Sequence, residues 1–93
     1  MIVSFGSKDT EHIWLVNPVK GLPSDIQAVA RRKLRMINNA ANIQDLTIPP
    51  ANRLEKRSGR GKDFYSIWVN NQCRIVFKWQ SGNAIQVELI DYH

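Results

Sequence analysis

The residue types that could cut a phosphodiester in this chain are His93, Asp91, Glu55 and Arg74, with Tyr92 beside the first two and a run of cations from Arg53 to Lys62. Cleavage of RNA by its own 2′-hydroxyl needs a base for that hydroxyl, cations to hold the charge gathering on the phosphate, and an acid for the leaving oxygen. His93 has a side chain whose ordinary pKa lies near neutrality, so it can give or take a proton at working pH; its bland alternative is a disordered end. Tyr92 can stack on a base or lend its hydroxyl, or cap a core. Asp91 can orient His93 or Arg74, or join a surface pair. Glu55 is the only carboxylate inside the basic loop, which holds it ionised and suits it better to a salt bridge than to proton transfer. Arg74 is a phosphate clamp by type, with a cross-strand ion pair to Glu88 as the alternative.

Charge points the same way. Thirteen Lys and Arg against eight Asp and Glu leave +5, and a pI of about 9.8 suits a polyanionic partner. Four positives lie in Arg31-Arg32-Lys33-Leu34-Arg35 and five in the ten residues from Arg53 to Lys62. In the second cluster Gly59 and Gly61 let the backbone approach a phosphate closely. The RNA-binding candidates are therefore Arg53, Lys56, Arg57, Arg60 and Lys62 in the loop, Lys78 on a strand beside Arg74, and Arg31 and Arg32 on a helix. His12, His93 and Cys73 show no metal-ligand spacing, so neither metal nor cofactor is expected. No nucleophile elbow is present, and the glycine loop lacks a P-loop ending. Cys73 reads as packing.

These groups need a scaffold, and ninety-three residues allow one domain, 1–93. Residues 1–5 read as a short first strand. Ser7 can cap a short helix from Lys8 to about Val16, which Asn17-Pro18 ends. Ser24-Asp25-Ile26-Gln27 fits a capping box for a helix from Asp25 to about Ala40, with Ile26, Val29, Ala30, Leu34, Ile37 and Ala41 on one face. From Asn42 to Asn52 periodicity fades, and Ile48-Pro49-Pro50 imposes an extended path. Strands follow over Phe64–Val69 and Cys73–Trp79, joined by Asn70-Asn71-Gln72, and Ile85, Val87 and Leu89 alternate in a last one after Ser81-Gly82-Asn83. The expected fold is α+β, β-α-α-β-β-β, with two helices on one face of a small, mainly antiparallel sheet. No apolar run is long enough for a membrane span, and the first residues lack a signal-peptide pattern, so a cytoplasmic protein is expected.

Asn52-Arg53-Leu54-Glu55 before a basic glycine-containing loop, then Tyr65-Ser66-Ile67-Trp68-Val69-Asn70, Arg74-Ile75-Val76-Phe77 and Ile90-Asp91-Tyr92-His93, resemble in order and spacing the HigB group of the RelE superfamily of bacterial toxins. The resemblance implies a RelE-like fold and a ribosome-dependent mRNA endonuclease that enters the decoding site of a translating ribosome. It implies a HigA-type helix-turn-helix antitoxin as partner, ribosomal RNA and mRNA as contacts, and operator DNA reached only through the antitoxin complex. Carried over by position, Asp91, Tyr92 and His93 complete the active site and Arg74 is its basic residue on the sheet, His93 transferring protons and Tyr92 stacking on a base. Similar toxins commonly have Leu-Lys-Gly where this chain has Arg57-Ser58-Gly59. That departure leaves a second reading, a weakened or inactive homologue acting by binding antitoxin, ribosome or nucleic acid. A general basic nucleic-acid-binding domain is a third, which the Pro-Val-Lys-Gly-Leu-Pro connection between the helices disfavours because it replaces a tight helix-turn-helix turn.

Overall fold

The computed structural model describes residues 1–91. Helix α1 (Lys8–Trp14) starts as expected: the Ser7 hydroxyl accepts from the Thr10 amide at 3.2 Å, which satisfies one of the free first-turn donors. Helix α2 (Ser24–Asn39) does not use the expected capping box. Pro23 is its N-cap residue, and no side chain caps the helix. The Gln27 amide is spent elsewhere: it donates to the carbonyls of Leu22 at 2.6 Å and Val19 at 3.0 Å and accepts from the Val19 amide at 3.2 Å. Three backbone partners in a half-closed connection satisfy a buried amide better than one reach back to its own helix start.

The sheet has four strands in the order β1 (Glu55–Lys56), β2 (Phe64–Trp68), β3 (Cys73–Gln80) and β4 (Asn83–Asp91), all antiparallel. Strand β1 lies inside the stretch expected to be loop. The expected first strand is reduced to two parallel bridges, Ile2 with Ala84 and Phe5 with Val87, along the outer edge of β4. The tract after α2 holds two short 3-10 turns, Ile43–Thr47 and Pro50–Asn52, joined by extended backbone at Ile48 and Pro49 as expected, with the second turn starting at Pro50. Proline excludes an α-helical interior there but tolerates the first residue of a short turn.

Both hairpins follow local chemistry. Asn70 Oδ1 accepts from the amides of Gln72 and Cys73 at 2.8 and 2.7 Å, an Asx turn. Ser81 and Gly82 both take positive φ, 51° and 78°, between the paired Gln80 and Asn83, the backbone a two-residue hairpin requires.

The core lies between α2 and one face of the sheet: Ala30, Leu34 and Ile37 meet Ile67, Ile75, Phe77, Ala84 and Val87, all fully buried. Each buried Leu, Ile or Phe contributes about 1.5–3 kcal/mol. The alternation expected for β4 fails at one residue. Register shifts between Val76 and Lys78, and Gln86 takes a φ of 54°, so a bulge inserts one residue and turns Ala84 and Val87 to the core while Ile85 changes face.

Thr10 fastens α1 to this strand. The residue is 1 % exposed, and its hydroxyl accepts from the Leu89 amide at 2.9 Å and bonds the Ser7 hydroxyl at 2.7 Å. Thr10→Val keeps the shape and strands that amide. We expect a loss of about 1–3 kcal/mol, seen as a melting point lowered by roughly 4–8 °C per kcal/mol for a domain of this size, with Thr10→Ser close to the parent. An unchanged melting point for the valine variant would remove this hydroxyl from the account. Among the described residues no helix is long and apolar enough to cross a membrane.

Candidate active site

Antiparallel register sorts the outer face of the sheet, the one turned away from the helices, into rows. Across the middle run Glu55, Ser66, Val76 and Glu88, each opposite the next. One step along the strands Trp68 faces Arg74, which faces Ile90. One step the other way Phe64 faces Lys78, and the Arg57 amide donates to the Phe64 carbonyl at 2.7 Å. The register of β1 continued backwards sets Arg53 opposite Trp68. Four cations, Arg53, Arg57, Arg74 and Lys78, thus flank a row with a carboxylate at each end.

Trp68 stands between two of them. The Arg53 guanidinium carbon lies 4.0 Å from its ring centroid and that of Arg74 3.8 Å, one from each neighbouring strand position. Cation–π contacts of this kind contribute about 0.5–2 kcal/mol each. Arg74 also donates to the carbonyls of Asn70 at 2.6 Å and Cys73 at 3.2 Å, which fixes its guanidinium against the hairpin turn. The alternative pairing of Arg74 with Glu88 does not occur in the register, because Glu88 lies opposite Val76. Trp68 was not singled out for function from sequence; pairing the two strands about the Asn70–Gln72 turn would have aligned it with Arg74.

Glu88 pairs instead with Arg60, at 3.5 Å. Two strands separate β1 from β4, about 14 Å from the first to the last at ordinary strand spacing, so the loop carrying Arg60 arches over the outer face. Ser66 and Val76 are closed from solvent on that face. Both the Ser66 hydroxyl and the Trp68 ring nitrogen are buried without a hydrogen-bond partner among the described residues. Lys56 to Arg60 line a hollow of about 290 Å³ that includes Ser58. The ion pair is half-exposed and contributes at most about 1 kcal/mol, so the arch is easily displaced. Glu55 is exposed and makes no ion pair among the described residues, against the expectation of a salt bridge.

Arg53 is held from behind. Asn52 is fully buried; its amide donates to the carbonyls of Leu46 at 3.1 Å and Ile48 at 3.4 Å, and its oxygen accepts from the Lys33 ammonium of α2. Burial, then the neighbouring Arg32, pushes the Lys33 pKa down. The next residue, Arg53, takes a left-handed backbone at φ 46° and ψ 56°, a conformation that costs a non-glycine residue about 1–2 kcal/mol.

The other expected residues divide. Lys56 lies opposite Tyr65, whose ring stacks on Phe77 in the core, so register sends it to the face opposite Arg57 and Glu55. Lys62 is exposed in the turn before β2. Arg31 donates to the Ile13 carbonyl at 3.1 Å, tying α1 to α2, and with Arg32 it belongs to the helix that covers the inner face. These two are therefore across the sheet from the Arg53–Arg74 row. Cys73 is buried; loss of water and the nearby Asp91 push its thiol pKa up, Arg74 opposing, which keeps it a packing thiol. Asp91 pairs with Cys73 at the end of β4, so register turns it to the helix-covered side, where it lines a hollow with Asp9, Thr10 and Ile13, across the sheet from the outer face that carries Arg74. Tyr92 and His93 lie outside the described residues. Among the described residues no group of His, Cys, Asp and Glu could hold a metal ion.

Comparison with known proteins gives this face a context. The chain is 41 % identical over 68 residues to Toxin HigB-1 of Vibrio cholerae, spanning 73 % of this chain and 72 % of that one. It is 40 % identical over 72 residues to an uncharacterized protein of Haemophilus influenzae, covering 77 % and 70 % of the two chains. Residues 4–93 match the family described as the RelE-like toxin of type II toxin-antitoxin system HigB. A match over nearly the whole chain, on two helices packed against an antiparallel sheet, places this protein in the HigB-like family of RelE-like toxins, and membership of a toxin-antitoxin system implies an antitoxin partner.

Proposed function

We propose that this toxin is a ribosome-dependent mRNA endonuclease that cuts the message in the decoding site and so arrests translation and growth. The observation that carries the reading is the single face on which Arg53, Arg57, Arg74 and Lys78 flank the row that runs from Glu55 to Glu88. Such a face suits a polyanion threaded along it. In the proposed step the 2′-oxygen of the message forms a bond to the adjacent phosphorus and the bond from phosphorus to the 5′-oxygen breaks, leaving a 2′,3′-cyclic phosphate and a 5′-hydroxyl. Glu55, an exposed carboxylate between cationic rows, takes the proton of the 2′-hydroxyl, and His93 gives a proton to the departing 5′-oxygen. Arg74 and Arg57 hold the charge gathering on the phosphate oxygens. Tyr92 stacks on a base, and Asp91 orients the histidine.

Ser58 favours a second reading, binding without cutting, because it stands where similar toxins commonly carry lysine. Arg57 on the outer face and Arg60 on the arch supply cations beside it. The proposed partners are a HigA-type helix-turn-helix antitoxin, the translating ribosome through its RNA and the message, and operator DNA through the antitoxin complex, in the cytoplasm. Mapping 5′ ends on a defined message, with and without purified translating ribosomes, tests the reading. New ends that require ribosomes are expected; folded protein that binds programmed ribosomes and produces no ends would move the assignment to occupancy alone.

A further inference from the structure

We infer that the guanidinium of Arg53 is a stacking platform for one nucleobase of the bound RNA, an inference that rests on the RNA reading above and specifies how one subsite of that face works. Arg53 lies over the Trp68 ring at 4.0 Å and Arg74 at 3.8 Å, and register brings the first from the β1 side of Trp68 and the second from the β3 side. Arg74 is pinned by two backbone carbonyls, so the three groups form a stack anchored at its inner end. The outer end is open: Arg53 precedes the edge strand and is exposed, and its side chain makes no hydrogen bond or ion pair among the described residues. A guanidinium stacked on an indole keeps its rim of N–H donors for a phosphate and its free face for a base, and arginine planes serve unstacked RNA bases in this way.

Two further observations separate this from a surface arginine that merely folds onto an aromatic ring. Its backbone is left-handed, a conformation that persists only when the surroundings impose it. Arg53 caps the turn Pro50–Asn52 through its own amide, which donates to the Pro50 carbonyl at 3.0 Å, and that turn is anchored by the buried Asn52, bonded to Lys33 of α2 and to the carbonyls of Leu46 and Ile48. The fold therefore holds a strained residue at fixed height over Trp68, and the free face is preorganised, which lowers the ordering cost of binding.

The test is an anisotropy titration of a short dye-labelled single-stranded RNA, made uncleavable by 2′-deoxy substitution, free in solution and in programmed ribosomes. Parent protein and Arg53→Lys are compared at several salt concentrations, and each RNA position is made abasic in turn. Lysine keeps the charge and lacks the plane. We expect Arg53→Lys to bind roughly tenfold more weakly, the loss of about one base stack, with an unchanged salt slope. One abasic position should weaken the parent by a similar factor and leave Arg53→Lys unaffected. Equal affinities for the two proteins, or the same abasic penalties in both, would overturn the stacking while the RNA reading stands. If the parent binds neither form of the RNA, that reading falls and the stacking with it.

Discussion

A chain shortened to end at Asp91 is expected to fold and to lose message cleavage by about 10²–10⁴-fold, the contribution of a positioned proton-transfer group. Folding is expected to survive because the core, the helix caps and all four strands are made by residues up to Asp91, which is itself paired with Cys73. His93→Ala alone should reproduce most of the loss, and Tyr92→Phe should keep stacking and lose little. Two measurements decide it: the thermal unfolding curve, which should barely move, and the yield of new 5′ ends on ribosome-bound message. Undiminished cutting by the shortened chain would take His93 and Tyr92 out of the site and leave Glu55 as the candidate base. An Arg74→Lys change is the complementary case. It keeps a charge but gives up the indole contact and the fixed direction of the guanidinium, so cleavage should fall with little loss of fold.

The second large effect is one of stability. Asn52→Ala should destabilise the protein by about 2–4 kcal/mol, because it leaves the buried Lys33 ammonium and two backbone carbonyls without their partner. Against a typical total of about 5–15 kcal/mol, that is a large fraction, measurable as a lowered urea midpoint. The same pair sets a pH dependence. Lys33 has its pKa lowered from 10.5 by burial first and Arg32 second, so between the folded-state value and 10.5 the unfolded chain binds more protons and stability rises with pH. Below that window the penalty is fully present. Lys33→Met should remove this rise, and a parent and variant with parallel pH curves would show that the ammonium is not under strain. Because Asn52 also sets the height of Arg53, the alanine variant should bind RNA more weakly even under conditions where it is folded.

The sequence signals that held are those made locally. Ser7 caps α1, the apolar spacing of Ala30, Leu34 and Ile37 marks the buried face of α2, and Asn70 and Ser81-Gly82 turn the two hairpins. Those that failed depend on partners distant in the chain. Gln27 has the right spacing for a capping box, and only the folded connection reveals three better partners for its amide. Gln86 carries no mark of a bulge, since its positive φ is imposed by the pairing of β3 with β4 and by the Ser4 hydroxyl that accepts from its amide at 2.9 Å. The site shows the same division. Arg74 was legible from strand alternation, whereas the Arg53–Trp68–Arg74 stack requires a two-residue strand, Glu55–Lys56, inside a stretch whose composition reads as loop.

The pairing of the first residues with the last strand bears on when this protein becomes itself during synthesis. Ser4 and Thr10 reach Gln86 and Leu89 across about eighty residues of chain, and the Val3 and Gly6 amides donate to carbonyls of the same strand. Closing so long a loop yields nothing until the final hairpin exists. The cationic rows are likewise complete only when β3 and β4 have paired. A ribosome translating this message therefore carries an unfinished sheet until β4 has cleared the exit tunnel, and the order of the strands delays the toxin's assembly until that point.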